Sequence, residues 1–266
     1  MAFVTRSKNH TTLRSELVKV PEITAYFWII KVLSTTVGET FADYLSTNLG
    51  FGEQGTLLFM AGLLAGALVW QFKLNQYFAP SYWLCVVLLS VAGTLVTDNM
   101  VDNWGISLTT STVLFSILLA VTLFAWWKSE GTLSIHTVDN FRRESFYWLT
   151  ILFTFALGTA AGDLFAEKIA LGYFSSLLIF VGLILVVVLL WRIRVLNNVA
   201  AFWAAYVITR PLGASLGDFL SQPKDTSGIG LGTTTTSLIF LALITGLVGF
   251  LAISRRDAPP NEVDPS

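Results

Sequence analysis

Five carboxylates fall inside apolar stretches of this chain: Glu39, Asp43, Asp98, Asp163 and Asp218. An ionised carboxylate at the centre of a bilayer costs on the order of 3 kcal/mol even on lenient insertion scales. Acids in such places therefore face the interior of a helix bundle, where they can bind ions or carry protons. Two cations share their depth range, Lys31 and Arg210, too few to neutralise all five acids. The expected roles are ligands or proton carriers for the four aspartates and a coupling acid for Glu39. Lys31 and Arg210 are expected to be internal counter-charges that occupy the site when it is empty. Hydroxyls of Thr35, Thr36, Thr40, Thr97 and Thr159 add neutral oxygens nearby. Oxygen donors without Cys or His favour protons or hard cations, Mg²⁺, Ca²⁺ or Mn²⁺ among them, over soft metals. A second acid stands four residues after the first in three places: Asp43 after Glu39, Asp102 after Asp98, and Glu167 after Asp163. Side chains at that spacing share a helix face, so each pair needs a shared proton or a bridging cation in low dielectric.

The elements that carry these acids repeat. Trp28, Gly38 and Asp43 recur in the same register as Trp83, Gly93 and Asp98, as Trp148, Gly158 and Asp163, and as Trp203, Gly213 and Asp218. Each set reads Trp-x9-Gly-x4-Asp, and an aromatic residue precedes every Trp: Phe27, Tyr82, Tyr147 and Phe202. At 1.5 Å per helical residue the aspartates lie ~22 Å from their tryptophans, so all four share one depth. The glycines and the residues four later (Gly38 with Ala42, Gly93 with Thr97, Gly158 with Gly162, Gly213 with Gly217) form ridges of small residues that let helix backbones approach closely. Trp28, Trp83, Trp148 and Trp203 are expected to anchor the helices at the membrane interface.

Composition agrees with this placement. The 266 residues are 54% hydrophobic and 12% charged, too little charge for a soluble surface of this size. A net charge of -1 offers no basic field for nucleic acid, and one cysteine with two distant histidines makes neither a disulfide nor a zinc cluster. Eight apolar runs, at about 23–48, 54–72, 81–102, 108–127, 146–167, 173–191, 197–220 and 231–253, each approach the ~20 residues of a membrane-spanning helix. The expected fold is an all-α, polytopic integral membrane protein with eight transmembrane helices, arranged as four parallel two-helix repeats in two pseudo-symmetric halves. The expected organisation is a cytoplasmic N-terminal segment (1–21), a first half (22–128), a cytoplasmic loop (129–144), a second half (145–254) and a disordered cytoplasmic tail (255–266). Twelve of the sixteen Lys and Arg residues lie on the side of the termini, which the positive-inside rule makes cytoplasmic. The first 20 residues lack an apolar signal core, so the first span is expected to direct insertion.

The stretch Lys19–Gly52 resembles the opening repeat of an uncharacterised bacterial family of membrane-anchored proteins built from a tandem repeat of unknown function. The resemblance is carried by Thr-Thr-x-Gly-Glu-x-x-x-Asp at 35–43 and by Asn-Leu-Gly-x-Gly at 48–52. It implies a bacterial inner-membrane protein and brings no substrate. From the residues, the leading expectation is a non-enzymatic transporter or permeation pathway for a small cation, divalent or proton-coupled, with no cofactor and with the lipid bilayer as partner. The alternatives are a membrane scaffold or sensor whose buried charges only lock helices together, and an intramembrane hydrolase.

Overall fold

The computed structural model describes residues 18–48, 52–169, 171–224 and 228–259. The protein is all-helical, with no strand among the described residues. Eight long helices follow the eight apolar runs: α1 (Ala25–Asp43), α2 (Gly52–Lys73), α3 (Ala79–Asp98), α4 (Leu108–Glu130), α5 (Phe141–Asp163), α6 (Tyr173–Arg192), α7 (Asn198–Ser221) and α8 (Thr233–Ser254). Seven are long and apolar enough to cross a membrane. The exception is α1, whose 19 residues carry Lys31, Glu39 and Asp43.

Local sequence sets the helix ends. Thr24, Ser107, Asn140 and Asn197 precede α1, α4, α5 and α7, and each side chain accepts from the backbone N–H three residues on, satisfying a donor the helix leaves free. Gly131, at φ 71°, ends α4. α1, α3 and α5 run directly into five-residue π-helical turns, Tyr44–Asn48, Asn99–Asn103 and Leu164–Lys168, each beginning just after the repeat aspartate. The fourth repeat continues instead as α-helix to Ser221, with Pro211 inside it.

The odd-numbered helices form a closed ring, α1 against α3, α3 against α5, α5 against α7, and α7 against α1. α3, α5 and α7 bury 72%, 56% and 50% of their spans, against 22%, 22%, 17% and 22% for α2, α4, α6 and α8, which therefore form the outer layer. Each outer helix packs on the inner helix of the following repeat: α2 on α3, α4 on α5, α6 on α7, and α8 back on α1. The packing unit is thus not the sequence repeat. Nor does a seam separate 22–128 from 145–254, because α3–α5 and α7–α1 are contacts of the same kind as α1–α3.

Two rings of repeat residues close this circle. A Cβ on Gly38 would lie 1.9 Å from Ser90 Oγ, on Gly93 2.7 Å from Phe155 Cβ, on Gly158 2.1 Å from Arg210 Cγ, and on Gly213 1.8 Å from Thr35 Oγ1. Each of these neighbours stands three residues before the next repeat's glycine, so every inner helix meets the next at the same level. Gly162 and Gly217 are less tightly enclosed, with nearest neighbours at 3.6 Å and 3.2 Å. Further toward the helix starts, the aromatic residue before each Trp packs on the following repeat's Trp: Phe27 on Trp83 (5.6 Å between centroids), Tyr82 on Trp148 (5.5 Å), Tyr147 on Trp203 (6.2 Å), and Phe202 on Trp28 (5.8 Å). This corrects the expectation of interfacial anchors. Trp83, Trp148 and Trp203 are buried and Trp28 half-buried, because each packs on the aromatic residue of the preceding repeat.

The ends of the bundle also depart from expectation. The 129–144 loop shrinks to 131–140, since α4 extends to Glu130 and α5 begins at Phe141. Glu144, placed by the sequence reading in that loop, is buried: Lys19 Nζ donates to its Oε2 at 2.8 Å and Gln71 Nε2 to its Oε1 at 3.2 Å. Lys19 belongs to the stretch read as an N-terminal segment, of which 1–17 lies outside the described residues. The start of the tail is docked as well. Glu22 N–H donates to the Asp257 carbonyl at 2.9 Å, Tyr77 Oη donates to Asp257 Oδ2, and the Asp257 side chain is buried. Residues 260–266 lie outside the described residues.

Candidate functional site

The ring brings one residue from every repeat to a single guanidinium. Arg210, on α7 three residues before Gly213, is wholly buried. Its Nη2 donates to Glu39 Oε2 at 3.1 Å, to Thr159 Oγ1 at 2.6 Å and to Thr94 Oγ1, and its Nη1 donates to the Thr35 carbonyl at 3.2 Å. These partners sit on α1, α5, α3 and α1, so one side chain ties the four inner helices together. Glu39, Thr94 and Thr159 each follow their repeat's glycine directly, and the tight glycine contacts let their short side chains reach one guanidinium. Ala214 holds that position in the fourth repeat, which contributes Arg210 instead. Desolvating an ion costs several kcal/mol, and a charge-assisted hydrogen bond returns ~1.5–3 kcal/mol, so the guanidinium needs this full set of acceptors.

One turn beyond lie the acids. Ligand oxygens of Glu39, Asp163 and Asp218 all lie within 4.8 Å of one another, and they come from repeats one, three and four. Asp98 ends α3 at the matching register position of the second repeat. Glu39 and Asp218 are buried, whereas Asp43, Asp98 and Asp163 remain partly accessible. Opposing oxygens of a hard cation bound at 2.1–2.6 Å stand roughly 4–5 Å apart, so the Glu39, Asp163 and Asp218 set matches Mg²⁺, Mn²⁺ or Ca²⁺ in size and in oxygen chemistry.

The expected acid pairs are placed differently from one repeat to the next. Asp102 is exposed beyond Asp98 in the π-helical turn, while Asn103 at the end of that turn donates to Glu53 Oε2 at 2.6 Å. The side chain of Glu167 lies outside the described residues. Lys31 also differs from its expected role. Its Nζ is buried with no hydrogen-bond or ion-pair partner among the described residues, and lies 4.3 Å from the Phe155 ring centroid and 4.2 Å from that of Tyr206. It is not the counter-charge of an acid. Eight residues before Glu39, it sits ~12 Å down α1, between the Arg210 layer and the aromatic ring. Of the supporting hydroxyls, only Thr159 reaches Arg210. Thr36 donates to Val32 O, Thr40 to Thr36 O, Thr35 to Val32 O, and Thr97 bridges to Ala156 O on α5 at 3.0 Å.

Sequence reasoning passed over Thr94, although its register position marked it as the partner of Glu39 and Thr159. It also missed the buried hydrogen bond between Tyr82 and Tyr147 at the aromatic end. Glu144 carried no signal at all, standing as it does in the charged first turn of α5.

Together, the ring and its charged centre define a membrane-type helical bundle built from four copies of one repeat around a shared polar core. The chain belongs to the family of proteins made of the Repeat of Unknown Function (DUF347), whose model matches residues 26–77, 81–132, 146–195 and 201–257. These four stretches start in the same register as the Trp-Gly-Asp motifs. No curated protein and no solved structure matches the chain.

Proposed function

We propose that the chain is a multi-pass membrane protein in which all eight helices span, the four repeats entering the bilayer in the same sense. Both termini would lie on the cytoplasmic side of a bacterial inner membrane. In this reading it is not an enzyme: it binds and passes a small hard cation, or exchanges it for protons, along the axis of the inner ring. The observation that carries the proposal is the convergence of Glu39, Asp163 and Asp218 from three repeats, with Arg210 held against Glu39. Seven spanning-type helices and the excess of Lys and Arg near the termini support the membrane part.

The chemistry follows from the pairing. With no ion bound, Arg210 supplies positive charge to Glu39. A cation entering from the aspartate end competes for the same carboxylate, and Arg210 falls back on Thr94, Thr159 and the Thr35 carbonyl. Passage toward the other end requires the aromatic ring to part. The test is flux of Mg²⁺, Ca²⁺ and Mn²⁺ into proteoliposomes, with Asp163→Asn and Asp218→Asn removing flux while the helical melting transition is kept. Full flux in both variants overturns the proposal.

One observation favours a second reading, a non-transporting scaffold or sensor: Arg210 is already hydrogen-bonded to the other three inner helices and acts as a lock. In that case no cation raises the melting temperature, whereas a bound ion must stabilise the folded state, by about 2.7 kcal/mol at a hundred times its Kd.

A further inference from the structure

On the outside of the α1–α7 seam lies a groove of about 660 Å³. Its floor is the strip Ala201, Ala205 and Thr209 of α7, and its walls are Trp28 and Val32 of α1 and Val188 of α6. From Asn198 to Thr209 it runs ~16 Å along α7, about half of a ~30 Å hydrocarbon core, which is the depth of one leaflet. Residues of small volume at i, i+4 and i+8 on the face of a membrane helix let a partner lie close to the backbone. At the groove's end, Trp191 Nε1 donates to Asn198 Oδ1 at 2.9 Å. The same two residues line an adjoining cavity of about 790 Å³ that holds Arg192 and Arg194. Both arginines are exposed, and neither has an ion-pair partner among the described residues. His136, which also lines the groove, is paired with Glu22 at 3.4 Å.

We propose that this groove and the two arginines form a binding site for one anionic phospholipid, with an acyl chain along Ala201, Ala205 and Thr209 and the phosphate at Arg192 and Arg194. Three features point to this occupant. The apolar part is one leaflet long. The cationic part stands only at its end, where a headgroup would lie. Arginine forks bind phosphate oxygens bidentately and have no competing carboxylate here. A transmembrane helix of another protein would fill the apolar length but has no use for two arginines at the mouth. The site does not include the axial acids, although its wall residue Trp28 also belongs to the aromatic ring.

The experiment is a melting titration of the detergent-purified full chain with palmitoyl-oleoyl phosphatidylglycerol and, separately, palmitoyl-oleoyl phosphatidylcholine, with retained lipid counted by native mass spectrometry. The wild type is expected to be half-stabilised at a phosphatidylglycerol concentration at least tenfold lower than for phosphatidylcholine, and to retain one lipid. Arg192→Gln with Arg194→Gln should make the two lipids equivalent while leaving the lipid-free melting temperature unchanged. Ala205→Trp, which fills the groove, should lose retention of both. Equal response of the wild type to the two lipids overturns the proposal, as does a preference that survives the double arginine change. A dimer in detergent that Ala205→Trp dissociates would also overturn it, since the groove would then be an interface between copies. Retained preference alongside lost cation flux, or the reverse, separates this site from the axial one.

Discussion

Replacing Gly158 by alanine tests whether the repeat glycines position the charged centre. The new Cβ would stand 2.5 Å from Arg210 Cβ, 2.1 Å from its Cγ and 3.0 Å from Pro211 Cδ. The Arg210 Cβ is fixed to the backbone of α7, so no rotamer change relieves the clash, and restoring contact near 3.5 Å requires α5 and α7 to part by about 1 Å. Overpacking of this kind costs ~1–3 kcal/mol. The same movement stretches the 2.6 Å bond from Arg210 Nη2 to Thr159 Oγ1 beyond hydrogen-bonding range, and losing a charge-assisted bond adds ~1.5–3 kcal/mol. The sum is about 2.5–6 kcal/mol, or on the order of 10 °C in melting temperature for a chain of this size. Gly62→Ala is the matched control: nothing lies within 4 Å of its added Cβ, and alanine there gains ~0.5–1 kcal/mol of helix propensity. Both variants, purified in one detergent, are to be melted by circular dichroism. If Gly158→Ala melts within a degree or two of Gly62→Ala, the glycines do not set the spacing of the ring, and the explanation of how Arg210 reaches the other three inner helices fails.

Other consequences follow from the charges. Glu39→Gln leaves the Arg210 guanidinium buried without its only ion-pair partner among the described residues, and should cost ~3–5 kcal/mol in a thermal or denaturant melt. Lys31→Met should be neutral or stabilising in the same assay, because Lys31 has no acid to lose and methionine fills a similar volume between Phe155 and Tyr206. A loss of several kcal/mol would mean that the ammonium has an anionic partner. Burial pushes the Asp257 carboxyl above the usual carboxylate range, and the hydrogen bond from Tyr77 only partly offsets this. A raised folded-state pKa means that docking is favoured by the protonated form and weakens as pH rises through the raised value. Hydrogen exchange at 255–258 should therefore speed up from mildly acidic to neutral pH beyond its intrinsic rate, and Asp257→Asn should abolish that extra dependence.

The helices and their register were legible in the sequence because both are properties of the local chain. Apolar length set the eight helices to within about five residues at their starts, and the Trp, Gly and Asp spacing set which residues share a level. Caps such as Thr24 and Asn140 are equally local. The acids drew attention in the sequence through the cost of burying them, a cost that does not depend on where the partners are. What the tertiary structure alone decided is who those partners are. The outer helix of each repeat packs on the next repeat, so that α8 returns to α1 and closes the ring, and this exchange leaves no trace in the repeat's own sequence. The tryptophans look interfacial by position along the helix. They become a buried girdle only because four aromatic pairs meet around the ring. Arg210 and Lys31 are both lone cations in apolar helices. One meets Glu39, Thr94 and Thr159 at the glycine level, the other lies between two aromatic faces, and their difference comes from contacts up to 175 residues apart along the chain. Spacing along one helix determines depth and face, but the identity of the group across the ring depends on how four helices are brought together, and that is set by the close glycine contacts of the folded bundle.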